Sequence, residues 1–329
     1  MKVLIVVLDN LGDAVMATAL LGPLRRRYPQ AELGLWVKEY ASGLFDLEGV
    51  RIHAADPFWD KAPGRGKGPL GPFVRALREI RSVGYDLALV LNADWRRSLA
   101  CLCAGIENRV GHRRHQSGLF LTRSLSERKC HVVEAHADLL AAWTQAQISD
   151  DDLLPQIGLS EEQKERGRSW RKSLGWEKNT VAVTHATTGD PEKNWPLAHW
   201  HSLFRILRAQ RPKLRFVVLS SALERPLLED ALGDAAAIIC GSVAEMKPVL
   251  SQADFFIGGD SGPGHMAAAL GAPVLSLFGP TDPGRYRPVG GKVQVICCDP
   301  LTKLAPETVA IQFSALLEGK GLSPDRCTS

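Results

Sequence analysis

The stretch ADFFIGGDSGPGHMAAALGAP, Ala253 to Pro273, changes character within a few residues. ADFFIG reads as a short buried strand and MAAALGAP as a helix. Between them Gly258–His265, GGDSGPGH, supplies an acid, a hydroxyl, several glycines and a histidine. A plain connector needs a glycine or two. Glycines without Cβ let the backbone approach a ligand closely, and a helix start aims free N–H groups and partial positive charge at the same point. His265, on the first helical turn, is placed to donate to an anion. A lone histidine is more often structural; one beside a glycine turn and a helix start is a better functional candidate.

Working outward, strand-like and helix-like segments alternate. KVLIVVL, AELGLWV, VRIHAAD and YDLALVLN read as strands in the first half. TVAVTHA, LRFVVLS, AAIIC, ADFFIG, PVLSLFG and VQVICC follow after residue 150. Ala14–Tyr28 and Phe73–Val83 have helical patterns, the second with Phe73, Leu77 and Ile80 on one face. Such alternation predicts an α/β protein with parallel sheets flanked by helices. The acidic stretch Ser149–Ser160, with a proline and a glycine, reads as a linker into a helix capped by Ser160, with Glu162 and Gln163 near the capping-box position. Domains over 1–150 and 151–329 follow. Two doubly wound domains place their ligands at the carboxyl ends of the strands.

The bulk numbers fit. The chain has 329 residues, 45% hydrophobic and 23% charged, beyond the usual size of one domain. No apolar run approaches the ~20 residues that cross a bilayer, and Asp9 ends the apolar opening too early for a signal peptide. Seven cysteines without C-x-x-C spacing read as reduced thiols, not as a zinc site. Net charge is only +4, yet residues 61–129 carry 14 Lys and Arg against 5 Asp and Glu. Such an excess fits an anionic partner or a solvated face.

Two further strand ends draw attention. DNLGDAVMAT, Asp9–Thr18, sets Asp13 at a helix start, where an N-cap acid worth ~1 kcal/mol of helix stability is the plain reading. THATTGDPEKNWP, Thr184–Pro196, offers two threonines, a glycine and a lysine suited to phosphate, though the Walker pattern is absent.

Taken together, GGDSGPGHMAAALGAPVLSLFGPTDPGR, LGDAVMAT, RVGHRR with HVVEAHADLLAAW, and THATTGDPEKNWP resemble the glycosyltransferase family nine signature in order over nearly the whole chain. Its best-known members are ADP-heptose:lipopolysaccharide heptosyltransferases. The resemblance implies a GT-B fold of two Rossmann-like domains with parallel sheets facing a central cleft, acceptor on the first and nucleotide-sugar on the second. It leaves room for the C-terminal helix to pack back on the N-terminal domain. It implies Asp13 as general base; Thr187, Thr188 and Lys193 as diphosphate contacts; Asp260, Ser261, Gly262 and His265 as a second donor loop; and Glu224 near the ribose. Departures are Ser261 for the usual threonine, and Asp9–Leu11 in place of a Pro/Ser-rich approach.

The implied reaction is inverting transfer of a heptose or similar sugar from an ADP-sugar to a lipopolysaccharide inner-core hydroxyl. The alternative is a same-family enzyme with another sugar donor or a small glycoside acceptor. Lys61, Arg65, Lys67, Arg113 and Arg114 are the candidate contacts to an anionic acceptor. No D-x-D pattern occurs in the donor loops, so no metal and no cofactor is expected beyond the ADP-sugar substrate. The expected location is cytoplasmic, with peripheral contact to the inner membrane surface. Two other classes fit poorly. A NAD-dependent oxidoreductase needs G-x-G-x-x-G where LDNLGDAVM stands, and nucleic-acid binding needs more aromatic interleaving in 61–129 than Phe73, Tyr85, Trp95 and Phe120 provide.

Overall fold

The computed structural model describes residues 1–60 and 66–319. Packing divides the chain into two compact units, Met1–Gly158 and Leu159 onward. The division falls inside Ser149–Ser160. Asp150–Asp152 forms a single 3₁₀ turn whose Asp152 lies 2.7 Å from Arg26, and Ser160 opens helix Glu161–Ser173 through a capping box with Gln163.

The first unit holds β1 (Lys2–Val7), β2 (Glu32–Val37), β3 (Val50–Ala54), β4 (Leu87–Val90), β5 (Asn108–Arg113) and β6 (Arg123–Ser126), in the order β3-β2-β1-β4-β5-β6. Every pairing is parallel, with Lys2 opposite Glu32 and Val3 opposite Leu87. Successive side chains of a strand point to opposite faces. Leu4, Val6 and Leu8 therefore share a core with Trp36, Ala88 and Val90, under Phe73, Ala76 and Ile80 of helix Leu70–Val83 and Ala100 and Cys101 of helix Trp95–Cys103. The opposite set, Val3, Ile5 and Val7, is equally buried. A strand buried on both faces is what a parallel sheet requires.

The second unit repeats the plan with β7 (Thr180–His185), β8 (Leu214–Ser220), β9 (Ala237–Cys240), β10 (Phe255–Gly259), β11 (Val274–Phe278) and β12 (Val293–Cys297), in the order β12-β11-β10-β7-β8-β9. These pairings are parallel too. Its core is aromatic. Trp195, Trp200, Phe204 and Phe216 are buried together, with the last two rings stacked at 4.2 Å. The last described helix, Pro306–Leu317, puts Val309, Ala310 and Phe313 into this same core, so its apolar face is used within the second unit.

Two sequence expectations change. Neither β5 nor β6 was expected, and the helical pattern Ala14–Tyr28 is broken into Leu11–Ala17, a 3₁₀ turn at Thr18–Leu20, and Leu21–Arg27. Thr18 accounts for part of the break: its hydroxyl donates to Val15 O at 2.6 Å and accepts the Gln156 N–H at 2.8 Å.

Strand order fixes where each unit can bind. In the first, β2 and β3 lie on one side of β1 and β4 returns to the other. In the second, β8 and β9 lie on one side of β7 and β10 returns to the other. The chain thus leaves a crevice between β1 and β4, and another between β7 and β10, at the carboxyl ends of the strands.

Candidate active site

In the first unit, β1 runs into Asp9, Asn10 and helix Leu11–Ala17. Asp13 is the third residue of that helix, and its Oδ2 accepts the Asn10 N–H at 3.2 Å in a capping box. The N-cap is therefore Asn10 and not Asp13, which supports the cap from the third helical position, and its carboxylate is not an ordinary one. Burial first, and the negative charge of Asp9 second, push its carboxyl up to about 6, against the pull of the Asn10 N–H and Arg97. Desolvation disfavours the charged form, and a like charge adds to it. Nearby, burial and then the Asp13 charge raise the Tyr40 phenol well above its usual range, so Tyr40 stays neutral.

Asp9 is itself held. Helix Trp95–Cys103 follows β4, capped by Asp94, which accepts the Arg96 N–H at 3.0 Å. Arg97 on its first turn is 5% exposed. Its Nη2 donates to Asp9 Oδ1 at 2.7 Å and its Nη1 to Asp9 Oδ2. The same guanidinium reaches Leu8 O at 3.1 Å and Leu91 O at 3.3 Å. One side chain thus joins the ends of β1 and β4 across the crevice.

In the second unit, the loop after β7 and the turn after β10 meet in the same way. Lys193 Nζ lies 2.7 Å from Asp260 Oδ2, and His185 Nδ1 lies 3.1 Å from Ser261 Oγ. Ser261 opens helix Gly262–Ala269 without capping it by its side chain. Pro263 has no N–H and the Gly264 N–H goes to Ser261 O at 3.1 Å, so the Gly262 N–H is the donor of this turn that suits another acceptor. Gly262 and a buried His265 follow in that helix. The lysine loop is pinned from behind: Asn194 Oδ1 accepts the Thr188 N–H at 2.7 Å, and buried Trp195 donates to Leu304 O at 3.0 Å. The Thr188 hydroxyl donates to Asp190 O at 2.8 Å.

Burial brings His185 down to about 4, despite the opposing charge of Glu224, so it is neutral at ordinary pH. Burial alone would raise Glu224, but hydrogen bonds from the Ser221 hydroxyl and the Ser221 N–H outweigh it and hold the carboxyl below its usual value. Ser221 Oγ is 2.6 Å from Glu224 Oε2. Thr187, Thr188, Lys193, Glu224, Asp260, Ser261, Gly262 and His265 therefore lie on the loops and first helical turns that follow β7, β8 and β10. Among the described residues no three His, Cys, Asp or Glu side chains gather to hold a metal ion.

The basic candidates are spread. Exposed Lys67 precedes helix Leu70–Val83 beyond β3, exposed Arg113 ends β5, and exposed Arg114 follows it. They flank β1 on both sides instead of gathering at one spot. Lys61 and Arg65 lie outside the described residues. The same unit exposes several large apolar side chains that the sequence does not flag. Phe58 is 43%, Trp95 41% and Leu119 74% exposed. Arg96 sits 5.6 Å from the Trp59 ring, and Trp95 packs on Phe120 at 6.1 Å. Phe58 and Trp59 fall just before residue 61, outside the basic window 61–129. Arg97 and Asp9 were missed as well. The available signal was an arginine on the first turn after a strand end, in NADWRRSLA.

A pair of Rossmann-like units, each with polar groups bridging its strand-order crevice, is the composition of a GT-B glycosyltransferase. A family model described as glycosyltransferase family 9 (heptosyltransferase) matches residues 73–309, and the chain belongs to that family. Lipopolysaccharide heptosyltransferase 2 of Escherichia coli (strain K12) is 26% identical over 313 residues, covering 90% of this chain and 88% of that protein. Among solved structures, a family 9 glycosyl transferase from Veillonella parvula DSM 2008 superposes with a TM-score of 0.82 at 17% identity, covering 97% of both chains. An Escherichia coli heptosyltransferase solved with ADP superposes with a TM-score of 0.75 at 21% identity, covering 98% of this chain and 100% of that one.

Proposed function

We propose that this enzyme transfers a heptose, or a closely similar sugar, from an ADP-sugar to a hydroxyl of a lipopolysaccharide inner-core acceptor, inverting the anomeric centre. The observation that carries this reading is the Asp13 carboxylate, set beside the β1–β4 crevice with its proton affinity raised to about 6. An ordinary aspartate is a weak base; one tuned towards neutrality and still ionised at pH 7 is a better one. Asp13 takes the acceptor proton as its oxygen bonds to the anomeric carbon, and the bond from that carbon to the diphosphate oxygen breaks. General-base assistance of this kind is worth about 10²–10⁴-fold. The names of the lipopolysaccharide relatives support the acceptor class, and the ADP-bound relative supports the donor.

On the donor side, Thr187, Thr188 and Lys193 bind the diphosphate, and Glu224 the ribose. Asp260, Ser261, Gly262 and His265 line the second donor loop. The developing charge on ADP is offset by Lys193, the Thr187 hydroxyl and the Gly262 N–H at the start of helix Gly262–Ala269. No metal is required on this account, because a lysine and backbone amides supply the positive field where other transferases use D-x-D. Lys67, Arg113 and Arg114 contact the anionic acceptor. Exposed Phe58, Trp95 and Leu119, in the same unit as those cations, suit peripheral contact with an anionic lipid surface, so we place the enzyme in the cytoplasm against the inner membrane face. Among the described residues no helix is long and apolar enough to cross a membrane.

A second reading keeps the chemistry and changes the acceptor to a small glycoside. It is favoured by Asp9–Leu11, where Asp9 is committed to Arg97 beside the acceptor hydroxyl's base. A panel of ADP-, UDP- and GDP-sugars, with lipopolysaccharide-core and small-glycoside acceptors and with or without EDTA, decides among these. Acceptor-dependent ADP release that survives EDTA is expected. Release only from UDP- or GDP-sugars overturns the donor, and a strict metal requirement overturns the metal-free step.

A further inference from the structure

Nothing in the general-base reading explains why the residue four before Asp13 is an acid bound by a buried arginine. We propose that Asp9 and Arg97 are positioning residues acting on Asp13 with opposite sign: Asp9 holds negative charge beside the base, and Arg97 fixes that charge in place and limits it. The inference rests on Asp13 being the base, as proposed above.

The geometry is specific. Arg97 meets both Asp9 oxygens, with 2.7 Å from Nη2 to Oδ1. It is anchored independently by Leu8 O and Leu91 O, so its place does not depend on Asp9. The chain before Arg97 is turned for the purpose: Asn92 takes φ 65 at the end of β4, a left-handed conformation that asparagine tolerates better than most residues. The pair links the first turn of the helix after β4 to the residue that precedes Asn10, the N-cap of the helix of Asp13. A surface pair would be worth little, but Arg97 is nearly fully buried, so its field and that of Asp9 reach Asp13 with weak screening.

The charges acting on Asp13 are Asp9, which raises its proton affinity, and Arg97, which lowers it. Tyr40 faces it from the segment after β2 as a neutral phenol. Asp94 and Asp60 act on Arg97, and Asp56 on Tyr40. Helix Val132–Thr144, packed against the segment of Asp13, carries Glu134 and His136, with His131 at its cap. None of these changes between the variants below.

The test reads Asp13 twice: by carbon-13 NMR titration of aspartate carboxyls in the full chain, assigned with Asp13→Asn, and by the acid limb of kcat/KM for ADP release. Asp9→Asn should move both downward by about one pH unit, because Arg97 then acts unopposed. Arg97→Gln should move both upward by a similar amount, and the double variant should return towards the parent. Arg97→Lys keeps the charge and should stay within a few tenths of a unit of the parent even if kcat falls. A merely structural pair would lower activity in each variant and shift neither limb. Should Arg97→Gln fail to fold, Asp9→Asn and Arg97→Lys still decide: an unmoved Asp13 in Asp9→Asn overturns the proposal. NMR shifts as expected with no turnover in the parent would retire the proposed reaction and leave the electrostatic pairing standing.

Discussion

Lys193 and Asp260 stand 2.7 Å apart across the crevice between β7 and β10, so the cation suited to a diphosphate is already held by a carboxylate. Asp260 places and orients the lysine, and also competes with an anion for it.

The two partners should therefore respond oppositely. Lys193→Gln removes a charge-assisted contact worth about 1.5–3 kcal/mol and leaves Asp260 unpaired, so ADP affinity should fall by about 10- to 100-fold. Asp260→Asn releases the lysine, so ADP affinity should hold or rise. Isothermal titration calorimetry with ADP distinguishes the cases. Equal losses in both variants would mean that the pair serves the fold and not the ligand.

Asp13 makes a stability prediction independent of any substrate. Its folded-state carboxyl is raised from 3.8 to about 6. The folded chain therefore binds this proton more tightly than the unfolded chain does. The resulting contribution is full below pH 4 and is lost as pH rises through 6. Asp13→Asn should thus stabilise the protein by about 1–2 kcal/mol at pH 8 and by almost nothing at pH 4. Denaturant midpoints at the two pH values check this; destabilisation at pH 8 would show the carboxylate to be a favourable cap.

The cations of the first unit should affect only one substrate. Lys67→Gln combined with Arg113→Gln should raise the acceptor KM several-fold through lost phosphate or carboxylate contacts, with ADP affinity unchanged. Equal change in both constants would remove these residues from an acceptor role.

Gly258 is fixed by packing. A Cβ there would lie 2.8 Å from the Phe256 ring and 3.2 Å from His185 O. Gly258→Ala should cost about 1–3 kcal/mol of stability, read by thermal or denaturant unfolding, and should also disturb His185 and its contact to Ser261. Unchanged stability would show that Phe256 yields.

The architecture was legible because parallel strands buried on both faces leave continuous apolar runs, as in KVLIVV and LRFVVLS. β5 was not, because NRVGHR hides its burial: Arg109 satisfies its guanidinium on the carbonyls of Phe120 and Glu107, and His112 reaches Ala135 O. β6, with only four residues and none of them buried, had little pattern to show. At the site, Asp13, Lys193 and Asp260 could be named from their strand-end motifs. Their pairings could not. Asp9–Arg97 joins residues 88 apart in the chain and Lys193–Asp260 residues 67 apart. Only the strand order brings these together.

Asp13 as the base is decided by acceptor-dependent ADP release from ADP-heptose, compared between the parent and Asp13→Asn, with ADP binding measured on both. Release by the parent and a loss of at least about 10²-fold in the variant are expected, with ADP affinity retained. Near-parent turnover by Asp13→Asn would contradict that role.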